Sequence, residues 1–582
     1  MMTNGGYVQR AESWLQGSYD AATKEAVMKL MEHNPKELEE CFYKNLEFGT
    51  GGLRGIMGVG TNRMNRYTVG MATQGLVNYL KRCFAHLPQI KAVISFDSRN
   101  LSAEFARITA EVFAANGCKV YLFDALRPTP ELSFAIRHLG CQSGVMITAS
   151  HNPKEYNGYK AFWDDGAQVL APHDTEIIRE VEKITDPAQV LFEGNKDHIE
   201  IIGKEMDELY LSAILSLLNL SSQAIKKHAN LKVVYTPLHG TGVHLVPQAL
   251  KRLGFTSIFH VPEQDVIDGD FPTLTSPNPE ERSALQMALA RAEEVHADLV
   301  MATDPDADRL GIAVRDHTGA LQLLNGNQTA TILTYYLLRR WKELGKLTGK
   351  EYIVKTIVTT DLLKVMADFY GVPCYNVLTG FKYIAEIQRN LEGKMTFIGG
   401  GEESFGYNVG SFVRDKDAVV SCALVAEAAA WAAEQGKSLY DLLLDIYAEF
   451  GLFRERLVSI TKKGKEGLAE IDAMMRRFRS SPPQTLGGAQ VVLMHDYQSS
   501  ETIDLVSDLR YEISLPKSNV LQFVTNDNAI VTVRPSGTEP KIKIYLGLRA
   551  MLPSKEEISS ANEIMDLKFN QLDGEIKNDI TM

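Results

Sequence analysis

The chain alternates short β-branched runs with longer segments of helical periodicity, and this alternation restricts the folds open to it. Residues 91–97 read KAVISFD, a strand pattern, and residues 102–116 have the period of a helix that ends before Gly117. A second strand, a helix that ends before Gly140 and a third strand, GVMITAS, follow. Helices that end at glycine between such strands predict a parallel sheet with helices on its faces.

The same alternation returns from Leu231 and again from Glu351, so the sequence predicts three consecutive α/β domains. After about Gly451 the pattern changes, because two β-branched runs flank the turn-forming residues Asn526 and Asp527. Such a pattern is typical of antiparallel strands, and it predicts a fourth domain of another class. The residues beyond Leu552 have the pattern of an amphipathic helix.

Charge and cysteine content narrow the function classes. The 582 residues carry a formal net charge of −12, whereas proteins that coat nucleic acid or anionic membranes have a basic excess. We expect neither partner, and an anionic ligand needs a local positive cluster. The six cysteines have no metal-ligand spacing, and the longest apolar run, Ala418 to Ala433, contains Glu427. We therefore expect a cytoplasmic protein in which this run is a buried helix.

The first unusual loop follows a predicted strand and reads TASHNPKEYNGYK, from Thr148 to Lys160. A serine in this position, here Ser150, is a candidate phosphoryl carrier or acyl nucleophile. The alternative is a turn whose polar side chains cap the backbone. The GxSxG pattern of hydrolases is absent.

The second loop, DPDADR, brings Asp304, Asp306 and Asp308 together directly after the strand pattern ADLVMAT. Three carboxylates at this spacing suit Mg²⁺, which prefers oxygen ligands. A calcium-binding EF-hand is excluded because its sixth and twelfth positions are occupied by Arg309 and Arg315. The alternative is a solvated acidic loop, in which the mutual repulsion of three like charges is unfavourable.

Two further loops carry polar residues among glycines. In GGGEESFG, Gly399 to Gly406, a carboxylate and a hydroxyl can bind sugar hydroxyls, and TGFK precedes this loop. In RPSGTEPKIK, Arg534 to Lys543, a guanidinium, hydroxyls and backbone amides can bind a phosphate. Structural turns are the alternatives for both loops. Because ligands of α/β sheets bind beyond the carboxyl ends of strands, we expect the four loops to face a shared cleft.

Together and in this order, the four motifs make the chain resemble the α-D-phosphohexomutases, the phosphoglucomutase/phosphomannomutase family, from about Phe48 to Lys543. The resemblance implies three α/β domains with mixed, largely parallel sheets and a smaller C-terminal α+β domain, arranged around a central cleft. The expected boundaries are 1–205, 206–325, 326–450 and 451–582.

The resemblance also implies roles for individual residues. Ser150 would carry the phosphoryl group and would hold Mg²⁺ together with Asp304, Asp306 and Asp308. Proton transfer is expected from Lys160 and Arg54, with His151 in support. The residues expected to bind the phosphosugar substrate are Arg309, Thr379, Gly380, Glu402, Ser404, Arg534, Ser536, Gly537, Thr538 and Lys541.

Pro305 and the GEESFG string resemble the glucose-type subgroup of this family. This implies an isomerase that interconverts glucose 1-phosphate and glucose 6-phosphate, with glucose 1,6-bisphosphate as intermediate and activator, acting as a monomer or homodimer. Mannose phosphate, pentose phosphate or synthesis of the bisphosphate itself are alternatives within the family. Outside it, an aspartyl-phosphate phosphatase and a non-catalytic metal- or sugar-binding protein are further alternatives.

Overall fold

The computed structural model describes residues 6–47, 52–220, 222–462, 464–536 and 541–581, which divide into two compact units. The first unit comprises the described residues up to Gly326 together with Ala385–Gly399 and Ser404–Ser438. The second comprises Asn327–Ile384, Gly400–Glu403 and the described residues from Leu439 onward.

The first sheet of the first unit is mixed. Its six strands lie in the order β1 (Gly52–Ile56), β5 (Tyr156–Trp163), β4 (Ser143–Ile147), β2 (Lys91–Phe96), β3 (Lys119–Phe123) and β6 (Ile199–Ile202). Neighbours among β4, β2, β3 and β6 pair in parallel. In contrast, β5 runs antiparallel to both β1 and β4. The three strands predicted from the alternation are confirmed as β2, β3 and β4.

Helices cover both faces of this sheet, as the alternation predicts. Ala92 and Ile94 of β2 belong to one apolar core and Val93 to another, because successive side chains of a strand point to opposite faces. The helices in this part of the chain are α4 (Arg66–Cys83), α5 (Ser102–Ala115), α6 (Thr129–Leu139) and α7 (His173–Glu182). Gly140 ends α6 with φ of 59°, a left-handed conformation that favours glycine.

The second sheet is also mixed and positions the acidic loop. Its strands lie in the order β11 (Leu321–Leu324), β10 (Leu310–Arg315), β9 (Leu299–Thr303), β7 (Val233–Thr236) and β8 (Ile258–His260). Because β10 returns antiparallel to β9, residues 304–309 form a short connection at the carboxyl end of β9. The accompanying helices are α8 (Lys204–Ser216), α9 (Ser222–Lys227), α10 (Gly242–Leu253), α11 (Pro262–Asp265) and α12 (Gln286–Val295).

Three N-terminal helices precede β1, a region for which the sequence makes no prediction: α1 (Gly6–Gln16), α2 (Ala21–His33) and α3 (Pro35–Phe42). Their core, which includes Trp14 and Phe42, packs against Tyr67 of α4. The predicted buried helix is confirmed as α16 (Ala418–Glu434). Among the described helices, none is both long and apolar enough to cross a membrane.

Two local predictions are wrong in part. The sequence predicts a loop from Gly399 to Gly406, but β14 (Thr396–Glu402) continues through the three glycines, and β15 (Gly406–Val409) follows after three residues. The strand is buried from Phe397 to Glu402, where the absence of side chains on the glycines permits close packing without preventing an extended backbone. Similarly, the end of the serine-containing loop, from Tyr156 to Lys160, already belongs to β5.

The second unit contains a large antiparallel sheet, as predicted for the C-terminal region. Its main path is β16 (Leu452–Thr461), β23 (Lys541–Ala550), β22 (Ile530–Pro535), β21 (Leu521–Thr525), β18 (Ala489–Asp496), β19 (Glu501–Asp504) and β20 (Arg510–Glu512), and β17 (Thr485–Leu486) pairs with β18. The last helix, α19 (Ile558–Thr581), confirms the predicted C-terminal helix.

The remaining elements precede this sheet or accompany it. Strands β12 (Glu351–Thr356) and β13 (Cys374–Val377) pair in parallel. The remaining helices are α13 (Gly326–Glu343), α14 (Leu362–Phe369), α15 (Phe381–Leu391), α17 (Leu439–Phe450) and α18 (Gly464–Ser480); α13, α15 and β14 have residues in both units.

The contact between α4 and α7 generates a stability prediction. A Cβ atom on Gly75 would lie 2.5 Å from Val181 Cγ2 and 2.7 Å from the Val181 backbone nitrogen. Gly75→Ala should therefore lower the free energy of unfolding by about 1–3 kcal/mol, measured by denaturant titration. As a control, a Cβ on Gly574 of α19 would meet no described atom within 4 Å outside its chain neighbours and the nearby helix backbone, so Gly574→Ala should be neutral or stabilising. Equal destabilisation by both substitutions would contradict this account of the helix contact.

Candidate active site

The serine loop, residues 148–155, directs the Ser150 hydroxyl towards the acidic loop. Ser150 is buried and has φ of 52°, which is unusual for a residue with a side chain. Its backbone nitrogen donates to Thr148 Oγ1 at 2.8 Å. Its Oγ donates to Asp304 Oδ2 at 2.7 Å and lies 3.1 Å from His151 Nδ1. The structure thus brings together the predicted phosphoryl carrier and the first predicted metal ligand.

The three aspartates of the acidic loop form one buried cluster. Asp304, Asp306 and Asp308 each offer a carboxylate oxygen within 4.8 Å of the others. Asp304 Oδ1 accepts hydrogen bonds from the backbone nitrogens of Asp308 and Arg309, at 3.1 and 3.0 Å. In contrast, Asp306 Oδ1 and Asp308 Oδ1 are buried and accept no hydrogen bond from any residue that the structure describes. Buried oxygens without a donor fit a cation site, since a bound cation would satisfy them.

Two lysines surround this cluster. Lys160 Nζ lies 2.6 Å from Asp306 Oδ2 and 3.4 Å from Asp308 Oδ2, and Lys416 Nζ lies 3.1 Å from the same oxygen of Asp308. Burial raises the pKa of Asp304 well above its ordinary value, with Asp308 and Asp306 adding to the shift. Burial also acts to raise the pKa of Asp308, but Lys416, Lys160 and Arg309 together lower it below its ordinary value. The cations thus favour the ionised form of Asp308.

The basic residues predicted for the serine loop are placed by two strands. Arg54 of β1 pairs in register with Gly158 of β5, two residues before Lys160. Arg54 Nη1 donates to Asn152 Oδ1 at 3.3 Å. Burial lowers the pKa of His151 well below its ordinary value, and Arg309 and Arg54 lower it further. Burial and these two cations thus favour the neutral form of the histidine beside Ser150.

Arg309 lies at the end of the acidic loop, close to its last carboxylate. Its Nε is 3.9 Å from Asp308 Oδ1, and its Nη1 donates to a carboxylate oxygen of Glu280. Arg309 is thus placed beside the cluster.

The predicted sugar-binding residues Gly380 and Glu402 meet in the second unit. The Gly380 backbone nitrogen donates to Glu402 Oε1 at 2.8 Å, next to Thr379. The neighbouring Glu403 accepts a hydrogen bond from Thr356 Oγ1 at 3.2 Å. Burial raises the pKa of Glu403 to about 7, with Glu402 contributing. Ser404 belongs to the first unit.

The predicted phosphate-binding residues lie where β22 meets β23. Arg534 pairs in register with Lys543, and the Ser536 backbone nitrogen donates to the Lys541 carbonyl oxygen at 2.7 Å. Gly537 and Thr538, the remaining two residues of this predicted set, lie outside the described residues.

The sequence reasoning missed two residues that contact the acidic cluster. One is Lys416, whose only sequence signal is the charged run at 414–417 directly before the apolar helix α16. The other is Thr129 at the start of α6, whose Oγ1 donates to Asp306 Oδ2 at 2.8 Å. No local pattern identifies Thr129, because its partner is far along the chain.

Comparison with known protein families assigns three successive parts of the chain. Domains I, II and III described as "Phosphoglucomutase/phosphomannomutase, alpha/beta/alpha domain" match residues 45–188, 208–319 and 325–450. These matches agree with the three consecutive α/β domains expected from the alternation.

Similar proteins cover nearly the whole chain. It is 39% identical over 541 residues to a phosphoglucomutase of Staphylococcus aureus strain MRSA252, covering 92% of this chain and 95% of that protein. It is 39% identical over 517 residues to a phosphoglucomutase of Staphylococcus epidermidis, covering 88% of this chain and 92% of that protein.

Solved structures share the fold. A phosphoglucomutase/phosphomannomutase family protein from Burkholderia thailandensis is 18% identical, with a TM-score of 0.64 over 90% of this chain and 97% of that one. Parafusin, a phosphoglucomutase from Paramecium, is 18% identical, with a TM-score of 0.66 over 91% of this chain and 95% of that one. On its three matched domains and on its relatives, the chain belongs to the phosphoglucomutase/phosphomannomutase family, the α-D-phosphohexomutases, which are phosphotransferases of the isomerase class.

Proposed function

We propose that the protein is a phosphoglucomutase that interconverts glucose 1-phosphate and glucose 6-phosphate. The observation that carries this proposal is the 2.7 Å hydrogen bond from Ser150 Oγ to Asp304 Oδ2, inside a buried group of three carboxylates. This arrangement suits a serine that carries a phosphoryl group beside a divalent cation. The phosphoglucomutases of Staphylococcus, at 39% identity, support glucose as the sugar.

The acidic cluster would hold Mg²⁺. Asp304, Asp306 and Asp308 would supply oxygen ligands together with an oxygen of phosphorylated Ser150, and the two buried carboxylate oxygens without a donor among the described residues suit this role. When bound, Mg²⁺ stabilises the negative charge of the phosphoryl group during transfer.

The reaction consists of two phosphoryl transfers. In the first, the bond from phosphorus to Ser150 Oγ breaks, and a bond to the free hydroxyl oxygen of the hexose monophosphate forms. In the second, the other phosphoryl group of glucose 1,6-bisphosphate passes to Ser150, which restores the phosphorylated enzyme. In the first transfer the attacking sugar hydroxyl loses a proton and the leaving Ser150 Oγ gains one. In the second transfer the Ser150 hydroxyl loses a proton and the leaving sugar oxygen gains one.

Proton transfer and charge stabilisation fall to the basic residues around Ser150. Lys160 and Arg54 are proposed to move the proton, with His151 in a supporting role. Burial lowers the pKa of Lys160, but Asp306 and Asp308 raise it above its ordinary value overall, so the cationic form is favoured. In this form Lys160 would give a proton to the leaving oxygen and could take one from an attacking hydroxyl only after that. Positioned positive charge of this kind supplies much of the catalysis of phosphoryl transfer.

The other predicted residues are proposed to bind the substrate. Arg309 would contact the phosphoryl group at Ser150. Glu402, Ser404, Thr379 and Gly380 would bind the sugar hydroxyls. Arg534, Ser536, Gly537, Thr538 and Lys541 would hold the phosphate that does not react. The same proposal has four further parts. They are glucose 1,6-bisphosphate as activator, a cytoplasmic location, a monomeric or homodimeric state, and the four domain boundaries given above.

A coupled assay tests the reaction and the sugar together. Incubation with glucose 1-phosphate, Mg²⁺ and a trace of glucose 1,6-bisphosphate should produce glucose 6-phosphate. We expect kcat/KM to be higher for glucose 1-phosphate than for mannose 1-phosphate or ribose 1-phosphate. A preference for either of these sugars would show a phosphomannomutase or phosphopentomutase, and net accumulation of the bisphosphate would show a synthase.

Replacement of the carrier separates the mutase from a phosphatase. Ser150→Ala should lower isomerisation by more than about 1000-fold, because no other group can carry the phosphoryl group between the two transfers. Ser212→Ala is a matched control, since Ser212 is exposed on α8 and its hydroxyl donates to the Glu208 carbonyl oxygen. An aspartyl-phosphate phosphatase would instead keep its hydrolytic activity in Ser150→Ala.

Removal of the cation should abolish turnover reversibly. Chelation with EDTA is expected to stop isomerisation, and added Mg²⁺ should restore it. Asp306→Asn should raise the Mg²⁺ concentration needed for half-maximal activity by at least about 10-fold, because one charged ligand is lost. Asp472→Asn, an exposed change on α18, is the control. Full activity of the EDTA-treated enzyme, verified as metal-free, would contradict the proposed metal site.

A further inference from the structure

A single buried guanidinium lies beneath the serine loop. Arg99, three residues after the end of β2, has a fully buried side chain. Its guanidinium donates to four backbone carbonyl oxygens of the loop and its edge: those of Ser150 (2.6 Å), Pro153 (2.8 Å), Tyr156 (2.9 Å) and Asn152. Local sequence patterns do not reveal this contact, because the partners are backbone atoms about fifty residues away.

Arg99 is itself held from two sides. Asp97 Oδ2 lies 3.3 Å from Arg99 Nε, and Asp97 Oδ1 accepts a hydrogen bond from Ser102 Oγ at 2.6 Å. On the other side, the ring of Phe271 lies with its centroid 5.2 Å from the guanidinium carbon, a cation–π contact. The orientation of the guanidinium is therefore also fixed by contacts outside the serine loop.

Phe271 reaches Arg99 from the segment between α11 and α12, which also contacts the serine loop directly. Ser276 Oγ donates to the His151 carbonyl oxygen at 3.2 Å, and Asn100 Nδ2 donates to Asp270 Oδ1 at 3.2 Å. The segment between α11 and α12, which precedes the acidic loop, thus also contacts the serine loop and Arg99.

The serine loop needs such support. Ser150 adopts a left-handed backbone conformation. For a residue with a side chain, the population of this conformation is lower by about 10- to 100-fold. Buried carbonyl oxygens also need donors. The guanidinium of Arg99 meets four such oxygens with two nitrogens in a planar fork, whereas a lysine has three donors on a single nitrogen.

We propose that Arg99 is a positioning residue for phosphoryl transfer: its guanidinium holds the serine loop in the conformation that directs Ser150 Oγ at Asp304. This inference rests on the proposed function for its kinetic consequence. The structural consequence, a serine loop that loosens when Arg99 is changed, is independent of any activity.

Hydrogen–deuterium exchange tests the structural consequence. In Arg99→Lys, amide exchange in peptides covering residues 148–156 should speed up by about 10-fold or more, because fewer carbonyl oxygens are held. Peptides covering β9 and the acidic loop should exchange as in the wild type. Arg107→Lys is the matched control, since Arg107 is exposed on α5 and pairs with Glu111.

Kinetics test the functional consequence. We expect kcat of Arg99→Lys with glucose 1-phosphate to fall by about 100-fold, since small displacements of a reacting group cost this much, with KM changed by less than about 3-fold. Phe271→Leu, which keeps an apolar side chain but removes the ring face, should shift both measurements in the same direction by a smaller factor. It also serves if Arg99→Lys does not fold.

Three outcomes would overturn the inference. One is a folded Arg99→Lys enzyme, or a folded Phe271→Leu enzyme if the lysine variant does not fold, with wild-type exchange in the serine loop. Another is faster exchange throughout the unit rather than in the loop. The third is a rise in KM that accounts for the whole loss of kcat/KM. A wild-type enzyme without mutase activity would defeat the proposed function instead, and the exchange result would still decide the role of Arg99.

Discussion

Three carboxylates buried within 4.8 Å of one another are the constraint on which the rest of the site depends. At an effective dielectric constant near 20, each pair of such charges repels by roughly 3 kcal/mol, so an ionised cluster folds only if cations and donors oppose the repulsion. Lys160 from β5, Lys416 before α16 and the hydroxyls of Thr129 and Ser150 provide this opposition. Elements distant in sequence are thereby brought together. Because three carboxylates face two lysines, the cluster can still accept a divalent cation.

The placement of Ser150 follows from this cluster and from the loop that carries it. Its hydroxyl donates to Asp304, and Arg99 holds the backbone of the loop. Arg54 of β1 donates to Asn152 in the same loop, and Lys160 of β5 donates to Asp306 in the cluster. The site thus combines carboxylates that can hold a cation with positive side chains. The chemistry of transfer requires little more of the protein than this positioning of charge.

Much of this arrangement could be predicted from the sequence, for local reasons. The alternation of strands and glycine-ended helices predicts β2, β3 and β4, and residues that follow strands, such as Asp304, are expected at the site because strand ends meet there. Gly399 to Gly401 were placed in a loop, since glycine frequency alone does not distinguish a turn from a closely packed strand. Thr129, Lys416 and Arg99 were missed because their partners are remote in sequence, and Arg99 bonds carbonyl oxygens, which every residue has.

The most direct test of the central claim locates the transferred group. The enzyme is incubated with Mg²⁺ and glucose 1,6-bisphosphate whose phosphoryl groups carry an oxygen-isotope label, digested under acidic conditions, and mapped by tandem mass spectrometry, before and after a chase with excess unlabelled glucose 1-phosphate. The account predicts a labelled phosphoryl group on Ser150 that is stable in acid, and a chase that replaces it with an unlabelled one while the label passes to the sugar. A phosphoryl group on any other residue, or a labelled one on Ser150 that the chase does not exchange, would contradict it.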